Sequence, residues 1–590
     1  MRPQRLLFLI PLALAPAVLA ADADDAFRAL TEREVEWHFA EHPIEASYAG
    51  RADASDRLGS VTDAAQRARL AHWNETLAAL AAIDPKALTP AERVNYRIFR
   101  DQIETRANTV RYRAHLVPMN SDSAFYSDIA QLPRVQPFAN ESDYRRYIAR
   151  LADLSRWFDE HIALMKLGLE AGITQPRIVL EGRDAALESY AEPKRVEDSV
   201  YYAPFAKLPA SIPAETAATL RADGARTIRE HVLPAYRRLR AFLRDEYIPH
   251  ARTTIAAYAL PDGEAWYASQ VREYTTLALD AKTIHARGLA EVERIRAEME
   301  AIVREVGHEG DFASFLRMLR TDPRFYAKSG DELLMRAAWV AKRIDGVLPR
   351  FFGTLPRRPF GIAPVPAAIA PYYTAGRYAG APYGSDEPGY YWVNTTRLDS
   401  RPLYALPALT LHEAVPGHHL QIALAAEQGA QPLYRRTGYI SAFGEGWALY
   451  AEKLGKEMGI YETPYEHFGR LTYEMWRACR LVVDTGVHAL GWSRERALAY
   501  LRDNTALSEH EITTEVDRYI SWPAQALSYK LGEMTIVELR ARAEKALGPK
   551  FDLRRFHDTV LAQGSIPLDL LEAHVAAWIA EVRRENDRED

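Results

Sequence analysis

Apolar residues recur at helical spacing along most of this chain, and the places where that rhythm breaks divide it. The clearest helix runs from Asp280 to Val306, where Ile284, Leu289, Val292, Ile295, Met299, Ile302 and Val306 fall on one stripe and Gly307 marks the stop. From Asp25 to about Val110 the sequence is rich in Ala, Glu, Arg and Leu with few glycines, which predicts packed helices. Residues 111–140 interrupt them with Pro118, Asn120, Pro133 and Pro137. Helix signals resume at Ser142-Asp143 and run to about Gly172, and a second proline-marked connection, Ala203 to Pro213, precedes a helix to about Tyr247. From Met534 to Asp590 the pattern is again amphipathic helix.

Between Arg350 and Pro407 the helical rhythm is replaced by prolines, glycines and tyrosines, among them Pro371-Tyr372-Tyr373, Tyr378, Tyr383 and Gly389-Tyr390-Tyr391-Trp392-Val393-Asn394. Only short strands or ordered loop fit such a composition. Two readings stand for Tyr391 to Thr395. It is either an edge strand that pairs with an extended peptide, with Asn394 among the substrate contacts, or a packed aromatic loop. The fold class expected is mainly α, a large multi-helix protein with a minor β element ahead of the histidine-rich segment described below.

Composition adds compartment and size. Arg2 and Arg5 precede an uncharged apolar run from Leu6 to Ala21, and Val18-Leu19-Ala20 offers small residues for cleavage, so residues 1–20 read as a secretory signal peptide and 21–590 as the mature chain. The run is short for a spanning helix, holds Pro11 and Pro16, and is followed by Asp22-Ala23-Asp24-Asp25, so no stable membrane insertion is expected after cleavage. No cysteine stands near the cleavage point, which excludes lipid attachment there. The expected location is periplasmic or secreted. Cys479 is the only cysteine, so an exported chain of this length must be stabilised by core burial rather than by intrachain disulfides. The net charge is −6 with acids and bases interleaved, which offers no footprint for nucleic acid.

The candidate chemistry lies in Leu411-His412-Glu413-Ala414-Val415-Pro416-Gly417-His418-His419-Leu420-Gln421. Three imidazoles and a carboxylate sit there in a segment otherwise apolar enough to be buried. Imidazole is a common zinc ligand, and a glutamate beside a metal-activated water serves as its general base. The familiar H-E-x-x-H pattern places two histidines one helical turn apart, but the fourth position after His412 is Pro416, which cannot continue a regular helix, and Gly417 follows. In a straight helix His412 and His419 share a face but stand about 10 Å apart along the axis, too far to meet on one ion. If Pro416-Gly417 loops out two residues, His418 takes the place of the second histidine, with His419 in reserve.

A catalytic zinc needs a third protein ligand, and a glutamate from a following helix is a common one. Glu445, set among Phe443, Trp447 and Leu449 and flanked by Gly444 and Gly446, is the candidate. Glu452, two turns on, is either a carboxylate supporting a ligand imidazole or a solvated residue beside Lys453. Arg477, Asp484 and His488 form one polar stripe on an otherwise apolar helix, either a structural ion-pair network or a substrate-facing set. In the second reading Arg477 contacts substrate, Asp484 supports the metal ligands, and His488 donates to an oxyanion. In Asp517 to Gly532, Tyr519 and Tyr529 are further candidates to stabilise an oxyanion, and Lys530 to hold a substrate carboxylate.

Taken as a set, His412 to Gln421, Glu445-Gly446-Trp447-Ala448-Leu449-Tyr450-Ala451-Glu452, Asp484-Thr485-Gly486-Val487-His488 and the segment from Tyr274-Thr275-Thr276 to Ile295 resemble the bacterial domain-of-unknown-function 885 family over most of the mature chain. That family is similar to helical zinc peptidases of the neurolysin and angiotensin-converting-enzyme type, gluzincins in which H-E-x-G-H lies on a helix beneath a deep cleft. The resemblance implies a two-lobed, metallopeptidase-like fold, its lobes roughly 21–350 and 351–590 and not independent. It implies one zinc ion held by His412, His418 and Glu445, with Glu413 as base.

The expected function is therefore exported, zinc-dependent hydrolysis of peptide bonds, on small peptides, with Glu413 taking a proton from water and passing it to the leaving amine. Two alternatives stand beside it. One is zinc-assisted cleavage of another amide or ester; the other is a zinc-containing protein that binds peptides without turnover.

Overall fold

The computed structural model describes residues 15–586, apart from 52–53, 122, 368–369, 371–372, 382–386, 430 and 437. Residues 1–14 of the expected signal peptide lie outside the described residues; the first helix spans Ala15–Glu41. No described helix is long and apolar enough to cross a membrane.

The periodicity read from the sequence becomes helices with defined ends. Asp280 caps the Ala281–Glu305 helix by accepting the Thr283 N–H, and Ile284, Val292, Ile295, Met299 and Ile302 are buried along it. Leu289 departs from the expected stripe and is 45% exposed, because it falls on the solvent side of the same turn. The covered face packs along the Pro464–Ala489 helix, which Thr463 and Glu466 start with a reciprocal capping box. That second helix is enclosed almost from end to end, and Cys479 packs on it as a small buried apolar group. The main hydrophobic core runs from Phe27 to Val582, with smaller clusters around Tyr267 and Leu531 and around Leu116 and Leu164. The chain is mainly α, as its apolar spacing requires.

The β element is where composition placed it. Phe360–Pro364 (β1), Gly376–Ala379 (β2) and Gly389–Val393 (β3) form a sheet in the order β1-β3-β2, with β1 parallel and β2 antiparallel to β3. The expectation that Tyr391 to Thr395 is an edge strand does not hold. β3 is central, its Tyr391 and Val393 are buried, and both of its neighbours are strands of this chain. Among the described residues β2 is the open edge on that side.

The Ser441–Leu454 and Ser528–Leu547 helices cross almost backbone to backbone. A Cβ built on Gly446 would stand 2.5 Å from Gly532 Cα, and one built on Gly532 would stand 2.0 Å from the Ala442 carbonyl. The glycine beside Glu445 thus lets two helices approach to the distance that sets Glu445. Gly532→Val should lower stability by about 2–3 kcal/mol through overpacking. Denaturant unfolding that leaves the midpoint of this variant at the wild-type value would contradict the close crossing.

Candidate metal centre

The helix that carries His412 and Glu413, Leu406–Glu413, stops there, and a new helix, His418–Glu427, begins at His418. Proline at 416 removes a donor and a helical step, and the intervening turn is closed by Gly417 N–H to the Leu411 carbonyl at 3.0 Å and His419 N–H to the Ala414 carbonyl at 3.1 Å. The Trp447 indole donates to the Pro416 carbonyl at 2.8 Å and pins the turn from the neighbouring helix. A Cβ on Gly417 would lie 2.0 Å from the His412 carbonyl, so only glycine allows the chain to double back so tightly.

The result is convergence. His412 Nε2 stands 3.5 Å and His418 Nε2 3.4 Å from Glu445 Oε2, and the two rings are perpendicular with centroids 4.8 Å apart. The three ligand atoms lie within 4.8 Å of one another. Ligand atoms about 2.1 Å from a tetrahedral ion are about 3.4 Å apart, so the two distances to Glu445 Oε2 fit a shared metal ion. Two imidazole nitrogens and a carboxylate oxygen are also the chemistry of a catalytic rather than a closed structural site.

His419 is turned away. Its Nδ1 pairs with the Tyr378 hydroxyl at 2.9 Å, its ring packs on Phe360, and burial lowers its pKa to about 4. It supports the small sheet and is not needed in reserve.

Glu452 is buried and bonds His412 Nδ1 at 2.7 Å, which fixes the ring with Nε2 toward Glu445. Burial opposes charge on His412, but the bonds to Glu445 and Glu452 and the nearby Glu413 outweigh it and push the imidazole up to about 10. On Glu445 burial is likewise overcome, by His418 and His412, and its carboxyl falls well below the ordinary range. Glu413 is held by the Tyr378 N–H at 2.7 Å, so the β2 edge passes directly beside it.

Several expected site residues serve other ends. His488 is fully buried with Nδ1 at the Ala257 N–H and Nε2 at the Tyr519 carbonyl, and burial lowers it to about 4; no ring nitrogen is left for an oxyanion. Asp484 accepts from Tyr267 and the Ala524 N–H rather than from a ligand histidine, and burial raises it to about 7. Tyr519 accepts from Trp476 and Arg480 in the core. Lys530 spends its ammonium on Glu474, Glu533 and Glu291 at 2.9, 2.7 and 3.0 Å, so it cannot hold a substrate carboxylate. Asn394, also buried, ties the carbonyls of Ala370, Tyr373 and Thr374 together. Arg477 lies against Glu452, 3.5 Å from its Oε1, and stacks on Trp476; it holds in place the residue that orients His412.

Tyr529 keeps its place as a candidate, and Tyr439 joins it as a residue the sequence reading missed. Tyr439 is 49% exposed, but its hydroxyl end is crowded against Gly444 and bonds Glu445, with Tyr529 and Glu413 close by. Burial of that hydroxyl and then the Glu445 charge hold its phenol well above the usual range, so it remains a donor. No spacing pattern marks Tyr439 in the sequence; its signal is only a tyrosine six residues before the third ligand.

The family described as bacterial protein of unknown function (DUF885) matches residues 43–575. The chain belongs to this DUF885 family. Among solved structures, a candidate lipoprotein from Colwellia psychrerythraea is 28% identical, with a TM-score of 0.83 over 96% of this chain and 99% of the other. A candidate lipoprotein of unknown function from Shewanella oneidensis is 18% identical and shares the fold, with a TM-score of 0.69 over 93% of this chain and 99% of the other. No curated protein matches.

For any transition metal the centre takes, His418→Ala should abolish stoichiometric uptake and His419→Ala should not, as read by elemental analysis after dialysis. Glu452→Gln should weaken affinity by about 10–100-fold in chelator competition. Equal loss in the His418 and His419 variants would contradict the assignment.

Proposed function

We propose that this protein is an exported zinc-dependent peptidase, its single ion held by His412, His418 and Glu445. The observation that carries this reading is the convergence of those three ligand atoms with the Glu413 carboxylate on the residue next to His412. A purely structural metal site would have no use for a further carboxylate so placed, of which the Tyr378 N–H takes only one oxygen. Bound zinc supplies Lewis acidity, lowering the pKa of water toward about 7 and polarising a scissile carbonyl.

The chain's own groups do the rest. Glu413, oriented through one oxygen by the Tyr378 N–H, accepts the proton of the attacking water and returns it to the departing amine nitrogen. Tyr439 gives its one O–H to Glu445 here and can turn it to the negative oxygen that forms on the substrate once that carboxylate serves as a metal ligand; Tyr529, close to Tyr439, is the second phenol. The open edge of β2 runs past Glu413, and an extended peptide can lie along it by main-chain hydrogen bonds. Glu445 has 14% of its side chain exposed, so the centre is reachable from solvent without unfolding.

Export is supported by the charged and apolar N-terminal run and by a solved relative described as a candidate lipoprotein. The reading is a periplasmic or secreted protein.

The test is digestion of a peptide library by purified protein with and without chelator. Chelator-sensitive products are expected, and Glu413→Gln should retain its metal yet lose about 10²–10⁴-fold in kcat. Undiminished hydrolysis by Glu413→Gln would overturn the mechanism. Metal-loaded protein that cleaves no peptide would leave the non-catalytic binder, or the hydrolase of another ester or amide, as the better account. Tyr439→Phe should lower kcat about 10–10³-fold with KM little changed; wild-type kcat would remove the phenol from the reaction.

A further inference from the structure

Two hydrogen bonds link His419 to the Glu413 carboxylate by way of Tyr378. The Tyr378 hydroxyl lies 2.9 Å from His419 Nδ1, and the backbone N–H of the same tyrosine donates to Glu413 Oε2 at 2.7 Å. Among the described residues that N–H is the one hydrogen-bond partner of Glu413. His419 and Tyr378 are both buried, and the His419 ring also gives an N–H to the Arg358 backbone. That bond sets the tautomer, so Nδ1 accepts and the Tyr378 hydroxyl donates.

The strand that carries this N–H needs such an anchor. β2 has four residues and pairs on one side only, with β3. Backbone groups alternate in direction along a strand, so a Tyr378 N–H aimed at Glu413 leaves Arg377 and Ala379 to make the ladder. So short an edge has little to hold it except its side chains. The Tyr378 ring reaches across β3, where Gly389 leaves room that a Cβ would fill, and its hydroxyl ends on His419. On the other side the His419 ring packs on Phe360 of β1, with centroids 4.7 Å apart. One imidazole therefore ties both outer strands of the sheet to the His418–Glu427 helix, whose first residue is a proposed metal ligand.

We infer that His419 is a positioning residue for the general base: it fixes Tyr378, and through the Tyr378 N–H it sets the orientation of the Glu413 carboxylate. The third histidine of the segment is then neither a spare ligand nor simple packing. Because it shares a helix with His418, one element sets where the ion and the base stand relative to each other. The kinetic consequence rests on the peptidase reading; the geometric one does not. A base displaced by about 1 Å can lose about 10²-fold in rate.

Hydrogen exchange at the Tyr378 amide, resolved by mass spectrometry on the full-length protein with and without zinc, tests the geometry, and kcat at saturating peptide tests the consequence. In His419→Ala and in Tyr378→Phe, which loses only the hydroxyl, the amide should exchange about tenfold or more faster. In both, kcat should fall about 10–10²-fold while zinc content stays at the wild-type value. His419→Asn, which offers an acceptor oxygen near the place of Nδ1, should return both readouts to within about threefold of wild type. If His419→Ala fails to fold, Tyr378→Phe decides alone. Wild-type exchange in the Tyr378→Phe variant, faster exchange with wild-type kcat, or no rescue by asparagine would each overturn the inference. Wild-type protein that cleaves no peptide would instead strike the peptidase reading, and the exchange rates would still decide whether His419 positions Glu413.

Discussion

The centre of this protein depends on one backbone constraint: two histidines six positions apart in the chain must face a common point. A continuous helix separates their side chains along its axis, and a free loop would not hold them. The turn through Ala414 to Gly417 solves this by ending one helix and starting the next, with glycine where the chain doubles back and the Trp447 indole fixing the proline carbonyl. Glu445 comes from the same helix as that indole, so the element that locks the turn also supplies the third donor.

Around this constraint the polar groups of the core are arranged in layers. Glu452 fixes the His412 ring, Arg477 lies on Glu452, and Trp476 and Arg480 carry the stack on toward Tyr529. A further buried network joins Lys530 with Glu291, Glu474 and Glu533. Removing one member would leave a buried charge without its partner, which costs more than the pair itself contributes. These ion pairs keep the long helices in one register and the imidazoles pointed at one place.

Much of this was legible in the sequence. The 3.6-residue stripes foretold the helices, the Pro-Gly pair foretold the break, and a glutamate between glycines foretold a close helix crossing. The polar stripe of Arg477, Asp484 and His488 was visible as a stripe, but its direction was not. Spacing on one helix says which residues share a face and nothing about which neighbour that face meets, so it left open whether the stripe was structural or faced substrate, and the three residues meet Glu452, Tyr267 and backbone groups. Lys530 and Asn394 misled for the same reason, since their partners come from distant segments or from loop carbonyls. Tyr439 went unseen because a tyrosine in a loop has no pattern of its own. The sheet's location followed from composition, whereas strand order, which left β2 rather than β3 at the edge, depends on long-range pairing.

The central claim is that one zinc ion sits on two imidazoles and one carboxylate. X-ray absorption at the zinc edge of the reconstituted protein tests it most directly. The account predicts one zinc per chain with two imidazole nitrogens at about 2.0–2.1 Å and the remaining ligands oxygen. Protein that takes up no zinc, or a spectrum with three imidazoles or with sulfur among the ligands, would contradict it.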